Sequence, residues 1–87
     1  MYDRANDVIA TDLEQELILL DPRSSEMFSL NAAGRCVWFA LPARSVEEIA
    51  DVLQNEFDVS PEIARHDAQL FLTRLTEAAL IEVTPDE

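Results

Sequence analysis

An α+β fold, with a three-stranded antiparallel sheet followed by three helices, is predicted by three observations. Short apolar segments bounded by turn residues fill the first third of the chain, whereas the remainder carries apolar residues at helical spacing. The junction is sharp: Met27-Phe28-Ser29-Leu30 favours extended structure, and the Asn31 side chain can accept an N–H from the turn that follows. Both connections between the strands are too short for a parallel crossover, so the strands form a meander.

Residues 1–6 read as a loose terminus. Val8-Ile9-Ala10-Thr11 is the first strand, flanked by Asp7 and Asp12, and Glu16-Leu17-Ile18-Leu19-Leu20 is the second, apolar on both faces. Asp21-Pro22-Arg23-Ser24-Ser25 has turn chemistry, with Asp in first position and Pro presetting φ in the second. It leads into Glu26–Leu30, the third strand. Alternation there puts Phe28 and Leu30 toward the helices and Met27 and Ser29 on the other face. In a simple meander this strand is an edge, with neither lysine nor proline inside it to discourage pairing.

The first helix starts from Asn31 and ends near Leu41, before Pro42. Gly34, Val37, Trp38 and Leu41 share one face, and Trp38, the sole tryptophan, anchors the core. Ser45-Val46-Glu47-Glu48 is a capping box opening the second helix, whose core stripe is Val46, Ile49, Val52, Leu53 and Phe57. Ser60-Pro61-Glu62 opens the third, with a cap, a proline at the first position and an acid that favours the helix dipole. It continues to about Ala79, and Leu80–Val83 closes the domain as an extended tail.

The third helix carries two stripes. Ala64, Ala68, Phe71, Leu72 and Leu75 form the core face, and Ile63, Asp67, Leu70 and Arg74 an adjoining flank. This flank either widens the core stripe, with both charges solvated, or lines a groove with an apolar floor and one charge of each sign. Three strands followed by three helices, the last two joined by a short link, is a winged helix-turn-helix arrangement.

Composition narrows the function. A single domain over residues 1–87 has a core just large enough to stand without staples, and 48% apolar residues make it folded. No apolar run approaches a membrane span, and Met1-Tyr2-Asp3-Arg4 lacks a signal peptide's basic and apolar regions, so a cytoplasmic protein is expected. The formal charge is −12, and the six basic residues, all arginine, are scattered. Neither nucleic acid nor an anionic membrane is an expected partner, since both need a concentrated positive face. The acidity either confers solubility or attracts a cationic partner. Cys36 and His66 are each alone, which gives no support to a disulfide, a metal site or a nucleophilic pair. Gly34 is the only glycine, so no phosphate loop exists. No enzyme and no cofactor is expected.

Several segments taken together carry a resemblance. Leu19-Leu20-Asp21, Phe28 to Gly34, Val37-Trp38, Ser45 to Ile49, Phe57 to Ser60, and Ala64, Asp67, Phe71-Leu72, Leu75 and Leu80-Ile81 resemble the PqqD-type family over roughly residues 8–83. These are peptide-recognition elements of pathways that modify ribosomally made precursor peptides. The resemblance implies a non-catalytic module that binds the precursor's leader segment as an antiparallel strand on the third strand, against the third helix. Carried over by position, its site is Met27, Phe28, Ser29 and Leu30 with Ile63, Asp67, Leu70, Phe71 and Arg74. The chain departs from the family in having Ser24-Ser25 before the third strand and Pro42-Ala43 before the second helix, where the family often has glycine. The implied partner is a maturation enzyme. It is a leader peptidase if the chain resembles the B1-type proteins of lasso peptide pathways, which the Leu-Asn-Ala-Ala-Gly to Val-Trp segment favours, or a radical SAM enzyme if it resembles PqqD proper. Two other readings of the residues are a winged-helix DNA-binding regulator, short of basic residues, and a structural subunit that pairs its free edge with itself.

Overall fold

A computed structural model of the chain describes residues 1–85. The order of elements is β1 (Tyr2–Arg4), β2 (Ile9–Asp12), β3 (Leu17–Asp21), β4 (Glu26–Leu30), α1 (Ala32–Phe39), α2 (Val46–Glu56), α3 (Pro61–Glu77) and β5 (Ile81–Val83). The predicted meander is the antiparallel sheet β2-β3-β4, with β4 at an edge. Leu17 and Leu19 of β3 are fully buried against the helices, and Phe28 and Leu30 of β4 pack on the same core.

The three helix caps form as the residue types dictate. Asn31 Oδ1 accepts from the Gly34 N–H at 2.9 Å, Ser45 Oγ from Glu48 and Ser60 Oγ from Ile63. The capping box differs in one bond: the Glu48 carboxylate takes the N–H of Arg44, one residue before the cap, rather than that of Ser45. Helix α3 ends two residues earlier than its pattern suggests. Ala79 turns left-handed at φ 60°, and the Leu80 N–H reaches back to the Leu75 carbonyl at 3.0 Å.

The two ends of the described chain correct the sequence expectation. Residues 2–4 are a strand rather than a loose terminus, and the closing tail is its antiparallel partner, with Asp3 opposite Glu82. Tyr2 also exchanges two backbone hydrogen bonds with Ala43, at 2.7 and 2.9 Å. Arg4 donates to the Leu41 carbonyl and lies 5.9 Å over the Trp38 ring, and Ala5 is buried. These partners are remote in sequence, so a three-residue polar strand has no local signature.

Candidate functional site: an open strand edge beside a groove

Pro22 decides which way the backbone of β4 points. In an antiparallel ladder, directly opposed residues either exchange two hydrogen bonds or are flanked by residues that do. Asp21 pairs with Glu26. Were they a flanked pair, residue 22 would have to donate its N–H, and proline has none. Asp21 and Glu26 therefore exchange hydrogen bonds, and by alternation so do Leu19 with Phe28 and Leu17 with Leu30. The N–H and C=O of Met27 and Ser29 consequently face the open side, where β4 has no neighbouring strand.

Beside that edge lies a groove of about 690 Å³ between β4 and α3. Its walls are Phe28, Leu30, Phe71, Leu75, Ala78 and Leu80, with Met27, Ser29 and Asn31 along the strand side and Glu16 and Arg74 as its charged residues. Gly34 sets how closely α1 can approach. A Cβ there would stand 3.0 Å from both the Leu30 Cβ and the Phe71 ring, so only glycine lets strand, helix and aromatic wall meet at this point without displacement.

Six of the residues implied by the resemblance, Met27, Phe28, Ser29, Leu30, Phe71 and Arg74, are brought together around this groove. Ile63, Asp67 and Leu70 are not: they lie about three, two and one helical turns N-terminal of Arg74. Of these, Ile63 is 52% and Leu70 38% exposed, so the flank is not a broadened core stripe, and the acid on the groove is Glu16, not Asp67. Residue patterning missed Glu16, Asn31, Leu75, Ala78 and Leu80. Leu75 was legible as an apolar core position, and it serves both core and groove wall.

The electrostatics of the two groove charges differ. Glu16 lies 3.5 Å from the Ser29 hydroxyl, which donates to it. Arg74 is exposed and makes no ion pair among the described residues, whereas Arg23, Arg35 and Arg65 hold Asp21, Asp12 and Glu47. Elsewhere, Cys36 lines a smaller cleft between α1 and α2, and burial pushes its thiol up, away from the reactive thiolate form. Among the described residues no three His, Cys, Asp or Glu side chains gather as a metal ion requires, and no helix is long and apolar enough to cross a membrane.

Fold and site together describe a small α+β protein with an unpaired sheet edge above a groove. The family is more particular. Residues 16–81 match the model of Coenzyme PQQ synthesis protein D (PqqD), and the chain belongs to that family. Two solved structures resemble it along nearly its whole length. TbiB1 in complex with the TbiA(beta) leader peptide is 27% identical, with a TM-score of 0.83 over 97% of this chain and 99% of that one. A lasso peptide synthetase B1 complexed with the leader peptide is 23% identical, with a TM-score of 0.80 over 94% and 98%, a likeness of fold. No curated protein matches the sequence significantly.

Proposed function

We propose that this chain is a peptide-recognition element of a ribosomal peptide modification pathway, binding a precursor's leader segment by strand addition to β4. The observation that carries this reading is the outward backbone of Met27 and Ser29 above the groove, in a chain that matches leader-bound TbiB1 over 97% of its length. Two residues with two outward groups each offer four main-chain hydrogen bonds, worth about 0.5–1.5 kcal/mol apiece net. They set orientation and generic affinity, and the groove's side chains set selectivity. Phe28, Leu30 and Phe71 receive apolar leader side chains, and Arg74 supplies the groove's positive charge. Leu70, Asp67 and Ile63 continue the contact along α3 past the end of the strand.

In this reading the module is non-catalytic and cytoplasmic, a winged helix-turn-helix domain that binds peptide and not nucleic acid. Arg65 is engaged by Glu47, which leaves α3 with no basic face for phosphates. It delivers the precursor to a maturation enzyme, a leader peptidase in lasso peptide biosynthesis. The fold's likeness to a lasso peptide synthetase B1, with the resemblance of the Leu30 to Gly34 and Val37-Trp38 segment to B1-type proteins, supports that pathway over one with a radical SAM enzyme.

Single prolines along β4 test the docking edge. Met27→Pro and Ser29→Pro remove an outward N–H, so both fold and both bind a leader peptide that the parent binds at least several-fold more weakly. Phe28→Pro removes a bond to β3 and strands the Leu19 carbonyl, which destabilises the fold by about 1–3 kcal/mol. Thermal melts and calorimetric titrations read the alternation. Undiminished leader binding by folded Met27→Pro and Ser29→Pro would exclude β4 as the docking edge.

A further inference from the structure

Resting on that reading of the groove, we infer that the bound segment carries a carboxylate side chain that pairs with Arg74, and that this pairing fixes the segment's register on β4. Three arginines spend their charge on acids of the domain, and Arg4 spends its own on a carbonyl and on the Trp38 ring. Arg74, in a chain of 18 acidic and 6 basic residues, makes no ion pair among the described residues and is the one cation lining the groove, whose acid, Glu16, accepts from the Ser29 hydroxyl. The groove's walls are apolar (Phe28, Leu30, Phe71, Leu75 and Leu80), with Glu16, Ser29 and Asn31 as its other polar residues. A carboxylate brought into that setting is partly shielded from water, and its charge-assisted hydrogen bond gains strength accordingly.

The position of the carboxylate follows from two contacts that align α3 with β4. Phe71 meets the Leu30 and Gly34 end of the strand, and Arg23 at the β3–β4 turn donates to the Ala79 carbonyl. Eight helical steps from Phe71 to Ala79 rise roughly 12 Å, and four strand steps from Leu30 to Glu26 span roughly 13 Å, so the two elements run antiparallel in near register. Arg74 therefore stands across from Phe28 and Ser29. The carboxylate belongs to a residue of the added strand whose side chain points to the helix. The residues two before and two after it point the same way, toward the apolar walls. At longer range the −12 charge of the chain repels acids, so acid is favoured at this single position and not along the segment generally.

A displayed library of random 15-residue peptides, selected in parallel on the parent protein, Arg74→Gln and Arg74→Glu, tests this. The parent should enrich Asp or Glu at one position with apolar residues two away, and such peptides should lose about tenfold in affinity on Arg74→Glu. Arg74→Gln should drop the preference, and Arg74→Glu should replace it with Lys or Arg at the same position. Arg74 is exposed, and cooperative melts of both variants verify their folding. Selected peptides that depend on Ser29 by the proline test, yet show no charge preference or the same one on all three proteins, overturn the carboxylate inference and leave the docking edge standing. Selection that yields no binders, or only binders indifferent to Ser29→Pro, overturns the docking edge and this inference with it.

Discussion

Ser25 and Ala79 stand at φ 62° and 60°, in the left-handed region that costs an L-residue roughly 1 kcal/mol. The chain's only glycine is used elsewhere, at Gly34, where space rather than φ is limiting. Ser25 belongs to the Ser24-Ser25 turn before β4, where the resemblance leads one to expect a glycine. The hairpin closes regardless, with the Ser25 N–H on the Asp21 carbonyl at 2.7 Å and the Arg23 N–H on the Asp21 side chain. Ser25→Gly should therefore stabilise the protein by about 0.5–1 kcal/mol, net of the entropy glycine adds to the unfolded chain, as urea melts would show. A loss of stability would mean that the serine hydroxyl contributes more than the left-handed backbone costs.

Asp12 on β2 offers a second test at the same scale. Arg35 on α1 grips it with two bonds, at 2.6 and 2.7 Å, and the guanidinium's hydrogen bond holds the carboxyl down from 3.8 to about 2. A carboxyl depressed in the folded state contributes stability that is complete above its unfolded pKa and is lost as pH falls through the folded one. The stability difference between parent and Arg35→Gln should accordingly be full above about pH 4 and should shrink toward pH 2. Urea melts from pH 2 to 6 measure it, and a difference that does not vary with pH would separate Arg35 from Asp12.

Between elements, the relation of β4 to α3 decides what each face of the helix does. Leu75 is buried and Leu70 is not, although they are only five residues apart. Leu75→Ala should cost about 2–5 kcal/mol by opening a cavity under the groove. Leu70→Glu should keep a cooperative melt, because that side chain reaches solvent and not the core, and should weaken leader binding if the proposed peptide path along α3 holds. If Leu70→Glu loses as much stability as Leu75→Ala, the flank is core and the contact path along α3 is wrong.

For the whole molecule the dominant physical fact is charge. A field of −12 would steer a leader rich in Lys or Arg toward the protein, while under the inference above a single acid on that leader would meet Arg74 once docked. Association should slow as salt rises and complex lifetime should change little, because screening acts on the encounter more than on the seated complex. Stopped-flow mixing from low to high salt would show this. An association rate indifferent to salt would leave the acidity with solubility alone.

The order of β2, β3, β4 and the three helices, the helix caps, the Trp38 anchor and the edge position of β4 could be read from the sequence, because each rests on neighbours within a few residues: an alternation, an Asn or Ser before a helix, a Pro that stops one. Even the direction of the β4 backbone groups is encoded locally, in the missing N–H of Pro22, once the register of the hairpin is known. That register, and everything that depends on approach between distant segments, was decided by the tertiary structure. Tyr2–Arg4 becomes a strand because Ile81–Val83 and Ala43 lie on either side of it. The α3 wall of the groove begins at Phe71 and runs to Ala78, leaving Ile63, Asp67 and Leu70 outside it, because α3 passes β4 over only the C-terminal half of its length. Helical periodicity assigns a residue to a face of its helix but says nothing of how far along the axis the neighbouring strand extends, since that distance is set by packing between elements and not by spacing within one.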